Sequence, residues 1–597
     1  MLPKNFHSRY WNEELDALKN DSVTAHDFWN LNGRPRTGPI FDAKKNAYYR
    51  YKLHIRKCRT EHDQNKVDDL NENLMQGDTR KFWRSFKYFN SVNNTQTPHI
   101  DGLSNDVDIA NRFARNYKAV YESNDATQAK VLSDELSHVY KEYCCQHAND
   151  SVLPFLLSWS EMLSVMSKLQ AGKATATFIK PEHILYGSPK LAWHLHLLFN
   201  AMIMHSYVPH DFLKGVISPL IKDSCGNHND PNNYRPLTLS SIFSNLFEHA
   251  LLLKIGHLLE TDPLQFGYKR RHSTSDAIYA FKSCVDFFTS RGSSVFVAFL
   301  DCTKGFDRVN HDGMFLKLIK RKVPLCFLKL LIYWYSNLSS TVKWNNSLSD
   351  SFHVPSGVRQ GGVLSPHLFV IYIDDLIIIL RGLQHGCYLA QLFLACIVYA
   401  DDICLLAPCR SALQLLLDNC ESYGKSWCLS YNPAKCKVMT FGPQISSSKL
   451  QMYGKSLEVV NEYQYLGVNV VSGTYFSTSS TKPLIKFRSS ANGILNVTSK
   501  SSEPVLMKLI FTICVPHLTY ASEAISYTSR QLHPMNVALN DSIRRIYGYN
   551  RWESIRYLRL LSGYPSLTDA IHTRTRKFYR RISRSSNPIL RALGSGV

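Results

Sequence analysis

Two adjacent acids inside an apolar stretch restrict this chain more than anything else in it. Residues 398–406 read Val-Tyr-Ala-Asp-Asp-Ile-Cys-Leu-Leu, so Asp401 and Asp402 split two hydrophobic runs. On a regular strand, neighbouring side chains point to opposite faces. Both acids can address one site only if the chain turns there, and a strand–turn–strand hairpin with the acids at its tip meets that need. A third acid, Asp301, ends the β-branched and aromatic run 293–299, which reads as a buried strand. Taken alone, Asp301 reads first as a helix N-cap.

Together the three acids say more. Carboxylates gathered within about 5 Å repel by roughly 3 kcal/mol per pair at an effective dielectric of ~20. Such a cluster persists only with protons or cations between its members. Hard oxygen ligands without His or Cys partners suit Mg²⁺. Two such ions about 4 Å apart can activate an attacking hydroxyl and stabilise a leaving phosphate. A rival pair, Asp374-Asp375, lies in the run 369–380. Ser365-Pro366 signals a helix start there and no turn residue interrupts it. That pair is expected on a helix surface, with no catalytic part.

The 597 residues are too many for one core, and about three or four modules are expected. Residues 1–150 read as a helical, polar extension. Within it Lys44, Lys45, Arg50, Lys52, Arg56, Lys57 and Arg59 stand with no acid among them, and Tyr48, Tyr49 and Tyr51 are interleaved. That mixture suits phosphate contact with base stacking and equally a solvated helix face. Residues 151–471 mix short strands with helices, an α+β texture. Residues 472–597 turn helical and basic, with the Ser/Thr-rich stretch 472–481 as a linker. From residue 544 onward, 12 Lys and Arg face only Glu553 and Asp569.

Lys plus Arg exceeds Asp plus Glu by 69 − 48 = 21, which favours a polyanionic partner, nucleic acid before membrane. The longest uncharged stretch, 191–210, contains four histidines and reads as an amphipathic helix rather than a membrane span. The 15 cysteines form no Cys-x-x-Cys pair. Neither a structural zinc nor a disulfide framework is expected, and a reducing intracellular compartment fits.

Seven segments, in order, resemble the reverse transcriptases of non-LTR retrotransposons (LINE elements), the jockey-like group especially. The strongest are 299–309 (FLDCTKGFDRV), 354–369 (VPSGVRQGGVLSPHLF) and 399–402 (YADD). Supporting ones are 233–239 (NYRPLTL), 265–277 (QFGYKRRHSTSDA), 432–439 (NPAKCKVM) and 463–468 (YQYLGV). The resemblance covers roughly 160–470. It implies a right-hand polymerase: fingers from roughly 216–290, a palm of antiparallel sheet backed by helices, and a helical thumb after 472.

The resemblance also implies roles. Asp301, Asp401 and Asp402 would hold two Mg²⁺ ions, with Mn²⁺ as a substitute. Phe306 would lie under the incoming sugar and exclude a 2′-hydroxyl; without the motif it reads as a core aromatic. Gln360 and Gly361 would touch template and nucleotide. Lys222 and Arg235 would grip the triphosphate, although either reads as an ordinary exposed charge on its own. Lys435 would protonate the departing pyrophosphate, with Lys437 a close competitor. Arg574, Arg576, Lys577, Arg580 and Arg581 would hold the nucleic acid. Expected partners are an RNA template, a DNA primer and deoxynucleoside triphosphates. The expected location is intracellular, nuclear and/or cytoplasmic.

Departures from the family pattern are also legible. Residues 173–178 (KATATF) replace a Pro-Gly-x-Asp-Gly stretch, Gly305 stands where Ala is usual, and Cys436 where Thr is usual. Too few residues precede the polymerase region for the nuclease that full-length elements carry, and no Cys follows Cys514 to build a terminal zinc knuckle. The chain reads as the polymerase part of an element. The alternative is a nucleic-acid-binding remnant without catalysis.

Overall fold

The computed structural model describes residues 10–90, 99–122, 125–223, 226–443, 449–497 and 501–595. They fall into two compact units. One is built from Met1–Asn94, Ser480–Tyr520 and Thr528–Ala570, the other from Thr95–Ser479, Ala521–Tyr527 and Ile571–Val597. This differs from the expected cuts at 150 and 471. The helices Asp106–Tyr121 and Ala126–Gln146 belong to the larger unit; Phe113 of the first packs edge-on against Tyr234 and tilted against Trp344 there. The stretch expected as a linker instead carries the short strand Ser477–Thr478, which folds back onto Val468–Val471.

Eight strands of the larger unit carry the site: β1 (Lys214–Ile221), β2 (Tyr234–Leu239), β3 (Val295–Asp301), β4 (Ser339–Trp344), β5 (Cys396–Tyr399), β6 (Asp402–Ala407), β7 (Lys437–Phe441) and β8 (Glu458–Val459). One sheet pairs β2 antiparallel to β1 and β1 parallel to β4. The central sheet runs β8-β7-β3-β6-β5, and from β7 to β5 each strand is antiparallel to its neighbour. From Val295 to Leu300 every side chain of β3 is buried. That is why the run is continuously apolar rather than alternating: both faces of the middle strand are covered.

The helix Thr274–Thr289 belongs with this central sheet, not with fingers. Its Phe281 packs edge-on against Phe299 of β3 and Phe441 of β7, with ring centres 5.8 and 6.0 Å away. The helix Arg410–Ser426 also packs on β3 and β6, burying Leu413, Leu416, Leu417 and Cys420. A mixed sheet-and-helix palm beside a smaller strand-built fingers layer is the right-hand polymerase arrangement. No helix among the described residues is long and apolar enough to cross a membrane. The cysteines among them are free thiols.

Candidate active site

β5 and β6 form a hairpin whose turn is Ala400-Asp401, with Ala400 at φ +57°. A side chain tolerates this left-handed conformation at some cost, and the neighbouring chain offsets it. The buried Gln265 accepts hydrogen bonds from the Ala400 and Gly267 amides at 3.0 and 2.9 Å. Phe266 donates its amide to the Val398 carbonyl at 2.8 Å. Gly267 has to be glycine, since a Cβ there would sit 2.4 Å from the Ala400 nitrogen. The segment 264–267 therefore clamps the hairpin tip. Sequence reading noted this motif but gave it no role; the Gln-Phe-Gly triplet itself was its only signal.

The register then does the decisive work. Asp402 stands directly opposite Asp301 on the antiparallel ladder. Directly paired residues share a face, with Cβ atoms about 5 Å apart. Asp401 sits in the adjoining turn. Asp301 ends β3 and caps no helix: the short 3₁₀ turn Gly305–Arg308 that follows has Lys304 as its N-cap.

The electrostatics match this crowding. Desolvation by the surrounding chain, followed by the charges of Asp401 and Asp301, pushes the Asp402 carboxyl up to about 6, although the residue itself stays exposed. Burial and then Asp301 also raise Asp401, against a smaller lowering by Arg235. The one cation in ion-pair range of these acids among the described residues is Lys435, 3.7 Å from Asp301. Its competitor Lys437 is engaged elsewhere, with Glu458 at 2.6 Å and the Ala434 carbonyl at 2.7 Å. Cys436 turns inward, and its sulfur lies 3.5 Å from the Asp301 amide as an acceptor.

Among the described residues, no three His, Cys, Asp or Glu side chains are gathered closely enough to hold an ion unaided. The donor set fits a hard divalent cation all the same. It offers carboxylate oxygens only, on one strand pair and its turn, with Lys435 against Asp301 as the one cation in ion-pair range among the described residues. Mg²⁺ is commonly held by one or two carboxylates, with water and substrate phosphates completing its shell.

Across from the acids lies a basic group. Lys222 directly follows β1, and its amide bonds to Asn233, while Arg235 pairs with Leu220. Lys222 and Arg235 are thus diagonal neighbours on one face of the ladder. Burial and then Arg235 lower the Lys222 ammonium. Lys304, which sequence reading passed over, joins them: burial and then Lys222 lower it too.

The loop 354–362 lies against this group and is tied down from several sides. The amide of Val358 donates to the Phe306 carbonyl and that of Gly357 to Val309, both at 2.8 Å. The buried Arg359 donates to the carbonyls of Phe212 and Leu213. The Gln360 carbonyl accepts from Thr238 of β2 at 2.8 Å, and its side-chain amide donates to Asp307 at 2.7 Å. Gly361, at φ +117°, brings its backbone so near that a Cβ would lie 2.8 Å from the Thr238 oxygen. Asp307 is buried, and burial raises its carboxyl to about 6 despite Gln360 and the nearby Lys304 and Lys222. Phe306 stacks on Phe369 at 4.2 Å and meets Tyr268 edge-on at 5.9 Å. The small Gly305 keeps this packing possible, because a Cβ there would press to 3.1 Å on both Phe369 and Cys302.

Two expectations need correction. Asp374 is not on a surface: it is buried and paired with Arg321 at 2.6 Å, while Asp375 meets Lys317 at 2.8 Å and Lys320 at 3.2 Å. In the helix Leu567–Ile582, two of the five basic residues expected to hold nucleic acid serve the fold instead. Arg574 bonds Glu523 at 3.0 Å, and Arg581 bonds the fully buried Asp276 at 3.0 Å. Arg576, Lys577 and Arg580 remain exposed.

Comparison with known proteins adds to this geometry. The family described as reverse transcriptase (RNA-dependent DNA polymerase) matches residues 222–470. The RNA-directed DNA polymerase from mobile element jockey of Drosophila funebris is 25% identical over 567 residues, 90% of this chain and 60% of that protein. The probable RNA-directed DNA polymerase from transposon X-element of Drosophila melanogaster is 24% identical over 416 residues, 66% of this chain and 44% of that protein. The chain thus spans about half the length of the curated relatives it matches. Among solved structures, a telomerase of Candida albicans aligns over 71% of this chain and 70% of its own, at 11% identity and a TM-score of 0.35, a likeness too loose to build on.

Proposed function

We propose, from the match of residues 222–470 to the reverse transcriptase family, that the chain extends a DNA primer on an RNA template with deoxynucleoside triphosphates. The observation that carries this reading is the register of Asp402 against Asp301 beside the Asp401 turn. That pairing sets Asp402 beside Asp301 with Asp401 in the adjoining turn, near enough to Arg235 for its charge to act on Asp401.

Asp301, Asp401 and Asp402 would hold two divalent ions, Mg²⁺ first. When bound, such ions lower the pKa of the attacking 3′-hydroxyl and neutralise the leaving pyrophosphate. Lys222 and Arg235, with Lys304 beside them, receive the triphosphate. An Arg fork suits phosphate oxygens and a Lys supplies a compact charge. Gln360 and Gly361 present a fixed amide and bare backbone to the base pair being formed. Phe306, held between Phe369 and Tyr268, resists displacement, so a ribose 2′-hydroxyl meets a rigid ring and is excluded by contact. Lys435, next to Asp301, donates a proton to the departing pyrophosphate. The same reading places the chain inside the cell, in nucleus or cytoplasm, where its nucleic-acid partners are.

The test is extension of oligo(dT) on poly(rA) by the purified chain, with Asp402→Ala as control. Activity in the parent and none in the variant supports the reading. The competing reading, nucleic-acid binding without catalysis, draws on the altered stretch 173–178, which runs here as an irregular loop. Binding of RNA with no incorporation under either Mg²⁺ or Mn²⁺ would favour it.

A further inference from the structure

In the smaller unit the helix Pro39–Met75 presents two different basic faces. The inward one is consumed by packing on the helix Glu13–Leu31. Lys44 sits 3.2 Å over the Trp29 ring, His54 meets Glu14 at 3.2 Å, Tyr51 packs edge-on against Trp11, and Cys58 is buried. The outward one is different. Lys45, Tyr49, Lys52, Arg56 and Arg59 follow each other at alternating steps of four and three residues, which puts them in one stripe along a helix. All five are exposed. None of the four cations has a carboxylate in ion-pair range among the described residues, and no acid occurs between residues 44 and 59. From Lys45 to Arg59 the stripe is about 21 Å long at 1.5 Å per residue.

Two rings border it. Tyr48 is 53% and Tyr49 65% exposed, and the Lys52 ammonium rests 5.3 Å from the Tyr48 ring centre. Each ring thus leaves more than half of its residue's surface open on a charged face. A row of cations beside open aromatic rings is the chemistry of a track for single-stranded nucleic acid, where phosphates meet the charges and unstacked bases lie on the rings. A duplex keeps its bases stacked and offers the rings nothing.

We propose that this face of the helix Pro39–Met75 binds single-stranded RNA. That the strand is RNA rather than DNA rests on the polymerase reading above. The stripe itself argues only for a single-stranded polyanion with bases.

The test is fluorescence anisotropy of a labelled oligouridylate with the full chain, without primer or triphosphates, across a salt series. Lys45→Gln/Lys52→Gln/Arg56→Gln/Arg59→Gln together should lower the log–log salt slope by about three, at ~0.7 per phosphate contact on a single strand. Tyr48→Ala/Tyr49→Ala should weaken binding at least about 5-fold with the slope unchanged. The charge-preserving Lys45→Arg/Lys52→Arg should bind like the parent, and thermal melting of each variant checks its folding. Unchanged slope and affinity in the correctly folded glutamine variant would overturn the proposal. So would equal affinity for duplex RNA combined with no effect of the tyrosine pair, and an equal loss for oligodeoxyuridylate would overturn the choice of RNA. Oligo(dT) extension on poly(rA) is measured in parallel. Extension with normal binding in the variants sinks this inference alone, and the expected binding losses without extension by the parent sink the polymerase reading alone.

Discussion

Two of the chain's three Asp-Asp dipeptides, Asp374-Asp375 and Asp401-Asp402, meet opposite fates. Asp374-Asp375 lies on a helix, and the fold brings Arg321, Lys317 and Lys320 to it. Asp401-Asp402 lies at a hairpin tip, faces another acid, and has no cation of its own in ion-pair range among the described residues; Lys435 pairs with Asp301 instead, at 3.7 Å. Folding neutralises the first pair and leaves the second short of positive charge. Carboxylates that the fold declines to pair are the ones available to a ligand, and a raised carboxyl such as Asp402 marks the deficit.

The largest expected effect separates the two pairs. Asp402→Ala should cut primer extension about 10³-fold and leave the melting temperature level or higher, since it relieves repulsion. Asp374→Ala should do the reverse. It strands the Arg321 guanidinium and should cost about 3 kcal/mol of stability, read by urea unfolding, with extension by the folded fraction little changed. If Asp374→Ala is silent in stability and Asp402→Ala is not, the comparison fails.

This contrast also shows what the sequence could carry. The strands Val295–Asp301 and Cys396–Tyr399 and the hairpin were legible because burial on both faces writes itself as an uninterrupted apolar run ended by acids. The fate of Asp374 was not legible. Its partner Arg321 lies 53 residues away, and helical periodicity says nothing about which charge a fold will bring near. The same holds for Arg581, whose partner Asp276 is 305 residues distant, so a basic run that looked like a nucleic-acid surface is in part an internal brace. Nor does amphipathic spacing reveal which core a helix buries against, which is why the helices of residues 106–146 were assigned to the wrong module.

Asp307 sharpens the comparison from a third side, as an acid that is buried yet, among the described residues, receives only the neutral Gln360 amide at hydrogen-bond distance. Its carboxyl stands at about 6 against an unfolded value near ~3.9. Between those values the native state holds the extra proton, so this contribution to stability is full below about pH 4 and is lost as pH rises through about 6. Asp307→Asn can still accept from Gln360 and should remove that slope. The gain over the parent at pH 7 should be on the order of 2 kcal/mol, measured by unfolding at pH 4.5 and 7. Equal pH dependence in both proteins would show that Asp307 is not strained by its burial.

Two neighbouring lysines give the smaller contrasts. Lys435→Ala should slow incorporation about 10²-fold if it serves as the proton donor, with the loss largest where proton transfer limits the rate. Lys437→Ala removes a partly exposed ion pair and should cost about 0.5 kcal/mol or less, with extension almost unchanged. Interchanged results would assign the donor to Lys437.

The hairpin acids and Asp301, short of positive charge, should be the ones that take up a divalent ion. The measurement is Mn²⁺ binding by electron paramagnetic resonance to the full chain with primer–template and a deoxynucleoside triphosphate. Parent and Asp374→Asn are compared with Asp301→Asn and Asp402→Asn. Binding retained in the first two and lost or greatly weakened in the last two is the expected result. Equal binding in all four, or loss only in Asp374→Asn, would contradict it.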